Sequence, residues 1–384
     1  MNDRWPGPAS PLLVAIACGG TGGHVFPGLA VGLELAARGS QVLLLVSEKQ
    51  VDQQALGAAG GLVAIPLPAV GLTARRPGAF ALGLWRSWRR VRELFRQRPP
   101  AAVLSMGGFT SAAPLLAGRA CGARTFLHES NAIPGRANRW LARWVDAAFV
   151  AFPIAAQRLR CRQVIVTGTP VRLQFQPTDP AACRTALGLE PERPTLLIMG
   201  GSQGAHRINQ LIIEALPVLL EAQPRLQFIH LTGQADFECV RAAYAARGAR
   251  AAVHAFLAQI HLALGAATVA VSRAGGSSLA ELAAMQVPAV LIPYPHAADN
   301  HQLANARILA DAGAAVLLEQ AQATGPTLAA QLLALLQQPL RCAALSQQLA
   351  RWHSPNAAAQ IAQAVLASVL TETEPHCSTL CPIH

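Results

Sequence analysis

Residues 12–31 read LLVAIACGGTGGHVFPGLAV, and the reading of this stretch decides the fold. Leu12–Cys18 is an apolar run of strand length, two glycine pairs follow it, and a helical pattern runs over Pro27–Arg38. A buried strand turning through glycines into a helix opens a βαβ unit, whose parallel strands read as near-continuous apolar runs because both faces are covered. The glycines also have a chemical use. They let backbone N–H groups approach a phosphate closely, and the helix N-terminus adds partial positive charge.

The same pattern recurs outward from this stretch. Gln41–Val46, Ala101–Ser105, Arg124–Leu127 and Val164–Thr167 read as buried strands, and Pro134–Arg143 reads as a helix. The alternation then restarts. Thr195–Met199, Gln227–Leu231, Ala252–Phe256, Thr268–Ser272 and Val287–Ile292 are strand-like, with helical stretches over Ala205–Leu220, Ser277–Met285 and Asn300–Ala312. Arg172–Pro194 holds four prolines and reads as the linker. The expected fold class is therefore α/β, with two doubly wound Rossmann-like domains facing across a cleft. Residues 1–170 form the first domain and 171–355 the second. A last helix over 356–370 returns to the first domain, and 371–384 is a flexible tail. Open α/β sheets bind ligands beyond the carboxyl ends of their strands, so the cleft would hold two ligands face to face.

Three further glycine clusters follow predicted strands: Gly107-Gly108, Gly200-Gly201-Ser202-Gln203-Gly204 and Gly275-Gly276-Ser277-Ser278. None is a Walker A motif and none is a clean GxGxxG. One such turn can be mere packing; four at corresponding places in two sheets point to an anionic ligand. The Gly200–Gly204 cluster also fits the G-x-S-x-G nucleophile elbow of serine hydrolases, with Ser202 as nucleophile and Asp236 or Asp299 with His301 as partners. That alternative leaves the first domain's glycine loop without a use.

Composition narrows the classes. With 384 residues, 52% apolar and 13% charged, the chain is globular and long enough for two cores. The net charge of +11 is uneven: residues 1–170 hold 19 Arg and Lys against 7 Asp and Glu, and residues 171–384 hold 12 against 13. A basic first half suits an anionic surface or substrate. The eight cysteines show no CxxC and read as reduced thiols of a cytosolic protein; Cys377 and Cys381, near His376 and His384, are the one metal-capable group, in the tail. No secretory signal is read, and the apolar stretch Ala101–Leu116 is broken by Gly107, Gly108 and Pro114, so nothing is expected to cross a membrane. Leu72–Arg98 carries Phe80, Leu82, Leu84, Trp85, Trp88 and Phe95 among eight arginines. It reads as a basic amphipathic segment that lays Trp85, Trp88, Arg89 and Arg90 on an anionic membrane. No nucleic-acid module is present, and no DxD motif, so no metal and no cofactor are expected.

The motifs become specific when taken together. Gly19–Val31 reads GGTGGHVFPGLAV, Met106–Pro114 reads MGGFTSAAP and His128–Asn138 reads HESNAIPGRAN. Gly168–Arg172 reads GTPVR, Gly200–Ala205 reads GGSQGA and Arg273–Gln302 reads RAGGSSLAELAAMQVPAVLIPYPHAADNHQ. In this order and spacing, over nearly the whole chain, they closely resemble the MurG family of bacterial N-acetylglucosaminyltransferases, which convert lipid I to lipid II in peptidoglycan synthesis. The resemblance implies a GT-B fold and an inverting transfer of GlcNAc from UDP-GlcNAc to the C4 hydroxyl of MurNAc in lipid I. It also implies peripheral attachment to the cytoplasmic face of the bacterial inner membrane, among other cell-wall synthesis proteins. It places Thr21, Gly22 and Gly23 beside the sugar and diphosphate, Asn131 on the donor sugar, and Arg172 and Ser202 near the phosphates or uridine. Leu257 would meet the uracil, Gly276, Ser277, Ser278 and Glu281 the α-phosphate and ribose, and Gln302 the sugar. His24 is the first candidate general base and Glu129 the second. Ser130, Ala112-Ala113 and Thr169 depart from the family's usual residues, which bears on fine sugar contacts. Other GT-B enzymes (a glycolipid glycosyltransferase or a UDP-GlcNAc epimerase) and a non-catalytic nucleotide-binding adaptor are the alternatives.

Overall fold

The computed structural model describes residues 11–20, 22–48, 61–68, 77–108, 110–201 and 204–370. Thr21, Ser202 and the cysteines of the tail, all singled out by the sequence, lie outside the described residues.

Two wholly parallel sheets carry the chain. The first contains β1 (Leu13–Ala17), β2 (Gln41–Ser47), β3 (Val63–Leu67), β4 (Ala102–Ser105), β5 (Arg124–Glu129), β6 (Ala147–Val150) and β7 (Val164–Val166), in the order β3-β2-β1-β4-β5-β6-β7. The second contains β8 (Thr195–Met199), β9 (Gln227–Leu231), β10 (Ala251–His254), β11 (Val269–Ser272), β12 (Ala289–Leu291) and β13 (Val316–Leu317), in the order β10-β9-β8-β11-β12-β13. In both, the chain runs outward from the first strand, then jumps back beside it. That reversal, between β1 and β4 and between β8 and β11, is where such sheets open a crevice for ligands. Helices cover both faces, and β1 and β8 are buried at every residue.

The first domain's helices are α1 (Gly22–Ala37), α2 (Pro77–Gln97), α3 (Ala112–Ala120), α4 (Arg136–Leu141) and α5 (Pro153–Ala156). Next come α6 (Pro180–Ala186), α7 (His206–Ala222), α8 (Phe237–Ala245), α9 (Ile260–Ala266), α10 (Gly276–Met285) and α11 (His301–Asp311). They are followed by α12 (Gly325–Leu336), α13 (Pro339–Ala350) and α14 (Ala357–Leu370). The closing helix α14 buries Ile361, Ala362 and Val365 in the same core as Val14, Ile16, Phe126 and Phe149, so the chain ends against the first sheet.

Several boundaries differ from the sequence reading for physical reasons. Helix α1 begins at Gly22, with Pro27 inside it, which draws the glycine loop into the helix's first turns. The proline-rich linker is not wholly irregular. Asp179 accepts from the N–H groups of Ala181 and Ala182 at 3.1 and 3.2 Å, and Pro180 supplies the first helical position of α6. Strand β3 escapes an apolar scan because it is an edge strand, half exposed and carrying Pro66.

Helix α2 sorts its aromatic residues differently from the expectation. Val91 and Phe95 are fully buried, while Leu82 and Trp85 are 47% and 52% exposed. Trp88, expected on a membrane face, is half-buried against the first-domain core because it shares the inward side with Ser87 and Val91. Arg89 and Arg90 remain exposed, Arg89 lying over the Trp85 ring. No described helix is long and apolar enough to cross a membrane.

Candidate functional site

A cavity of about 1120 Å³ lies between the two domains, and all four glycine clusters reach it. Gly22 and Gly23 of α1, the Gly107-Gly108 turn after β4, Gly200 and Gly201 after β8, and Gly275 and Gly276 before α10 line the same space. Two helices, α1 and α10, thus start at its wall. First-turn N–H groups have no partners within their own helix, so both ends offer donors to an anion, with Ser277 and Ser278 beside those of α10. Gly276 also marks where the domains meet. A β-carbon there would lie 2.1 Å from the carbonyl oxygen of Ser130, so only glycine allows this approach.

Leu257, Gln302 and Glu281 line the cavity. The backbone N–H of Tyr294 donates to Gln302 Oε1 at 3.0 Å, which leaves the side-chain amino group to face a ligand. The loop before Gln302 places both Asp299 (φ 51°) and Asn300 (φ 53°) in the left-handed region, a conformation that Asp and Asn tolerate better than other side chains.

Glu281 is buried, and burial raises its pKa to about 7 against the pull of nearby Arg172. A folded chain that holds this proton more tightly than an unfolded one gains stability from the group below its ordinary value of 4.5. That gain is lost as pH rises to about 7. Arg172 sits 3.9 Å from Glu281, with its guanidinium between the rings of Phe26 and Phe175 at 4.1 and 4.8 Å. Burial lowers its pKa and Glu281 works against that. Arg172 does not itself line the cavity but lies behind Glu281 and Phe26, which do.

The HESN stretch ends β5 at the cavity. Glu129 is 3% exposed and has both oxygens occupied. Oε1 accepts from the backbone and side-chain N–H groups of Asn131, and Oε2 from Gly135 N and Asn138 Nδ2, all at 2.9 Å. A carboxylate with four donors is a clamp for the 130–138 loop and a poor base, since taking a proton would break a bond it already makes. Acting as the second candidate base would cost it one of these bonds. His24 is half-buried on α1 and lines the cavity. Its ring rests on the Gly107-Gly108 turn, where φ is +99° and +82° and β-carbons would come within 3.2 and 3.1 Å of it. His128, behind it, is wholly buried; Nε2–H donates to Gly168 O at 2.9 Å, and burial lowers its pKa to about 4, so it is neutral. The hydrolase alternative finds no support in its acids. Asp236 is held by His206 and Asn209, Asp299 pairs with Arg139 across the cleft, and His301 Nδ1 donates to Ala298 O.

Two residues without an assigned role prove central. Arg273 donates from Nη1 to the carbonyls of Ile292 and Pro293 at 3.0 and 3.1 Å and lies over the Tyr294 ring. Asn305 is fully buried in α11 and bonds to the first domain. A polar residue amid a helix that disfavours it was the available signal.

Comparison with known proteins follows the same two-part division. Residues 14–150 match the glycosyltransferase family 28 N-terminal domain and residues 195–364 the family's C-terminal domain. A relative from Anaeromyxobacter sp. (strain Fw109-5) is 38% identical, covering 91% of this chain and 92% of its own. It is named UDP-N-acetylglucosamine--N-acetylmuramyl-(pentapeptide) pyrophosphoryl-undecaprenol N-acetylglucosamine transferase. The crystal structure of Acinetobacter baumannii MurG superposes with a TM-score of 0.71 at 27% identity, over 93% of this chain and 99% of that one. A putative UDP-N-acetylglucosamine 2-epimerase from Listeria monocytogenes reaches the same TM-score of 0.71 at 18% identity, over 95% and 98%, a likeness of fold alone.

If Glu129 is the loop clamp, Glu129→Gln sets an amino group against two donors. The full chain should lose about 2 kcal/mol in urea unfolding. A variant that lost activity with unaltered stability would restore Glu129 to the list of bases.

Proposed function

The chain belongs to glycosyltransferase family 28, and on that footing we infer that it transfers N-acetylglucosamine from UDP-GlcNAc to the muramyl sugar of lipid I, forming lipid II. The observation that carries this reading is the meeting of glycine turns from both sheets in one cavity, with a buried carboxylate, Glu281, one turn into α10. Helix N-termini suit the diphosphate of a nucleotide sugar, and a carboxylate at that place suits the two ribose hydroxyls.

In this reading the donor lies along the second domain. Leu257 meets the uracil, the N–H groups of Gly276, Ser277 and Ser278 hold phosphate, and Gln302 and Asn131 hold the sugar from opposite domains. Gly22 and Gly23 cover the diphosphate from α1. His24 accepts the proton of the attacking C4 hydroxyl as the oxygen bonds to the anomeric carbon and the bond to UDP breaks, inverting that centre. A positioned base contributes about 10²–10⁴ in rate. The charge on departing UDP is met by the two helix N-termini, which require no reorganisation when the bond breaks. Arg172 supports this indirectly by favouring the ionised form of Glu281.

The acceptor's lipid tail calls for a membrane beside the cavity. Leu84 of α2 lines the cavity while Leu82 and Trp85 on the same helix are exposed, with Arg89 and Arg90 next to them. Trp140 and Trp144, 46% and 43% exposed, add aromatic surface in the same domain. Apolar side chains ringed by arginine fit an anionic headgroup layer, each cation contributing about 1 kcal/mol near it. On this reading the protein is a peripheral enzyme, and the family resemblance implies the cytoplasmic face and the company of other cell-wall synthesis proteins.

The purified chain, incubated with radiolabelled UDP-GlcNAc and a short-chain lipid I analogue, should transfer label to the lipid. UDP-GlcNAc binding without transfer to that acceptor would overturn the reading in favour of another GT-B activity. On vesicles containing anionic lipid, Leu82→Glu with Trp85→Glu should lower co-sedimentation about tenfold while UDP-GlcNAc binding is kept. Undiminished co-sedimentation would remove α2 from the membrane surface.

A further inference from the structure

We propose that Asn305 is a positioning residue that fixes the donor-sugar amide of Asn131 across the domain boundary, so that this half of the donor site is set by one buried side chain. This rests on the reading of Asn131 as a sugar contact. The amide of Asn305 is fully buried and bonds both domains. Its Oδ1 accepts from Ala132 N at 2.8 Å. Its Nδ2 donates to Asn131 Oδ1 and to Ala274 O, both at 3.0 Å. Ala132 and Asn131 belong to the loop after β5; Ala274 immediately precedes the Gly275-Gly276 turn.

The orientation of each amide follows from its partners. A backbone N–H can only donate and a backbone carbonyl can only accept, so Ala132 and Ala274 fix which end of Asn305 is oxygen and which is nitrogen. Asn131 must then present Oδ1 to Asn305. Its Nδ2 donates to Glu129 Oε1 at 2.9 Å, which a carboxylate is bound to accept. One Nδ2 hydrogen is left over, on a residue that lines the cavity. Asn131 is thereby committed as a hydrogen-bond donor toward the sugar, and it must be met by an oxygen lone pair.

The distance in sequence matters. Asn131 and Asn305 are 174 positions apart and in different domains, so their bond exists only when the cleft has the width seen here. The same closed width sets Gly276 against Ser130. Asn305 therefore acts on the step that needs both domains together, and much less on nucleotide binding by the second domain alone.

A double-mutant cycle tests this, using UDP-GlcNAc, the lipid I analogue and direct UDP binding. Asn305→Ala should lower kcat at least about tenfold while UDP affinity changes by less than about threefold. In an Asn131→Ala background it should have almost no further effect. Asn305→Asp keeps the shape but sets lone pairs against Asn131 Oδ1 and Ala274 O, and should fall below Asn305→Ala. Should the alanine variant fail to fold, Asn305→Ser carries the same cycle. Independent, multiplying effects of the two substitutions, or an Asn305→Asp variant with the unsubstituted rate, would overturn the assignment. Absence of transfer by the unsubstituted chain would instead count against the proposed function itself.

Discussion

The structure depends on one close approach. At Gly276 the start of a helix in the second domain lies against the Ser130 carbonyl of the first, nearer than any β-carbon permits. That contact sets the width of the cleft. It brings the N-terminus of α10 to the same cavity as that of α1, and it allows Asn305 to reach Asn131 and Ala132. A wider cleft would leave two separate half-sites, each with donors for an anion and neither able to hold a sugar between them.

Two carboxylates at the cavity show how surroundings divide labour. Glu129 and Glu281 are both buried. Four N–H donors surround Glu129 and turn it into a fixed point for its loop. Glu281 faces the guanidinium of Arg172 at 3.9 Å, and burial pushes its pKa up to about 7. A group in that state gains most from a ligand whose hydroxyls donate to it, which is what a ribose offers.

Much of this was legible in the sequence, for a definable reason. Strands such as β1 (LVAIA) and β8 (TLLIM) are almost wholly apolar and lead into glycine turns, the pattern of a parallel sheet covered on both faces. The site residues that follow those strands, including Gly22, Asn131, Gly276 and Gln302, are carried to the cavity by strand–turn–helix geometry alone. What escaped depends on tertiary contacts. Strand β6 is the alanine-rich AAFV, whose burial comes from its neighbours. The rings of Phe26 and Phe175 meet Arg172 from distant parts of the chain. Trp88 and Trp85 look equivalent in the sequence, and only the packing of α2 separates them. Asn305 has partners on a loop in the other domain, beyond the reach of any local pattern.

The central claim is that turns from both sheets close on one donor molecule. Hydrogen exchange of the backbone amides, with and without UDP-GlcNAc, measures it directly. The account predicts that Gly22 and Gly23 at the start of α1 slow together with Gly276, Ser277 and Ser278 at the start of α10. Protection confined to the α10 turn, with the α1 turn exchanging as before, would contradict it.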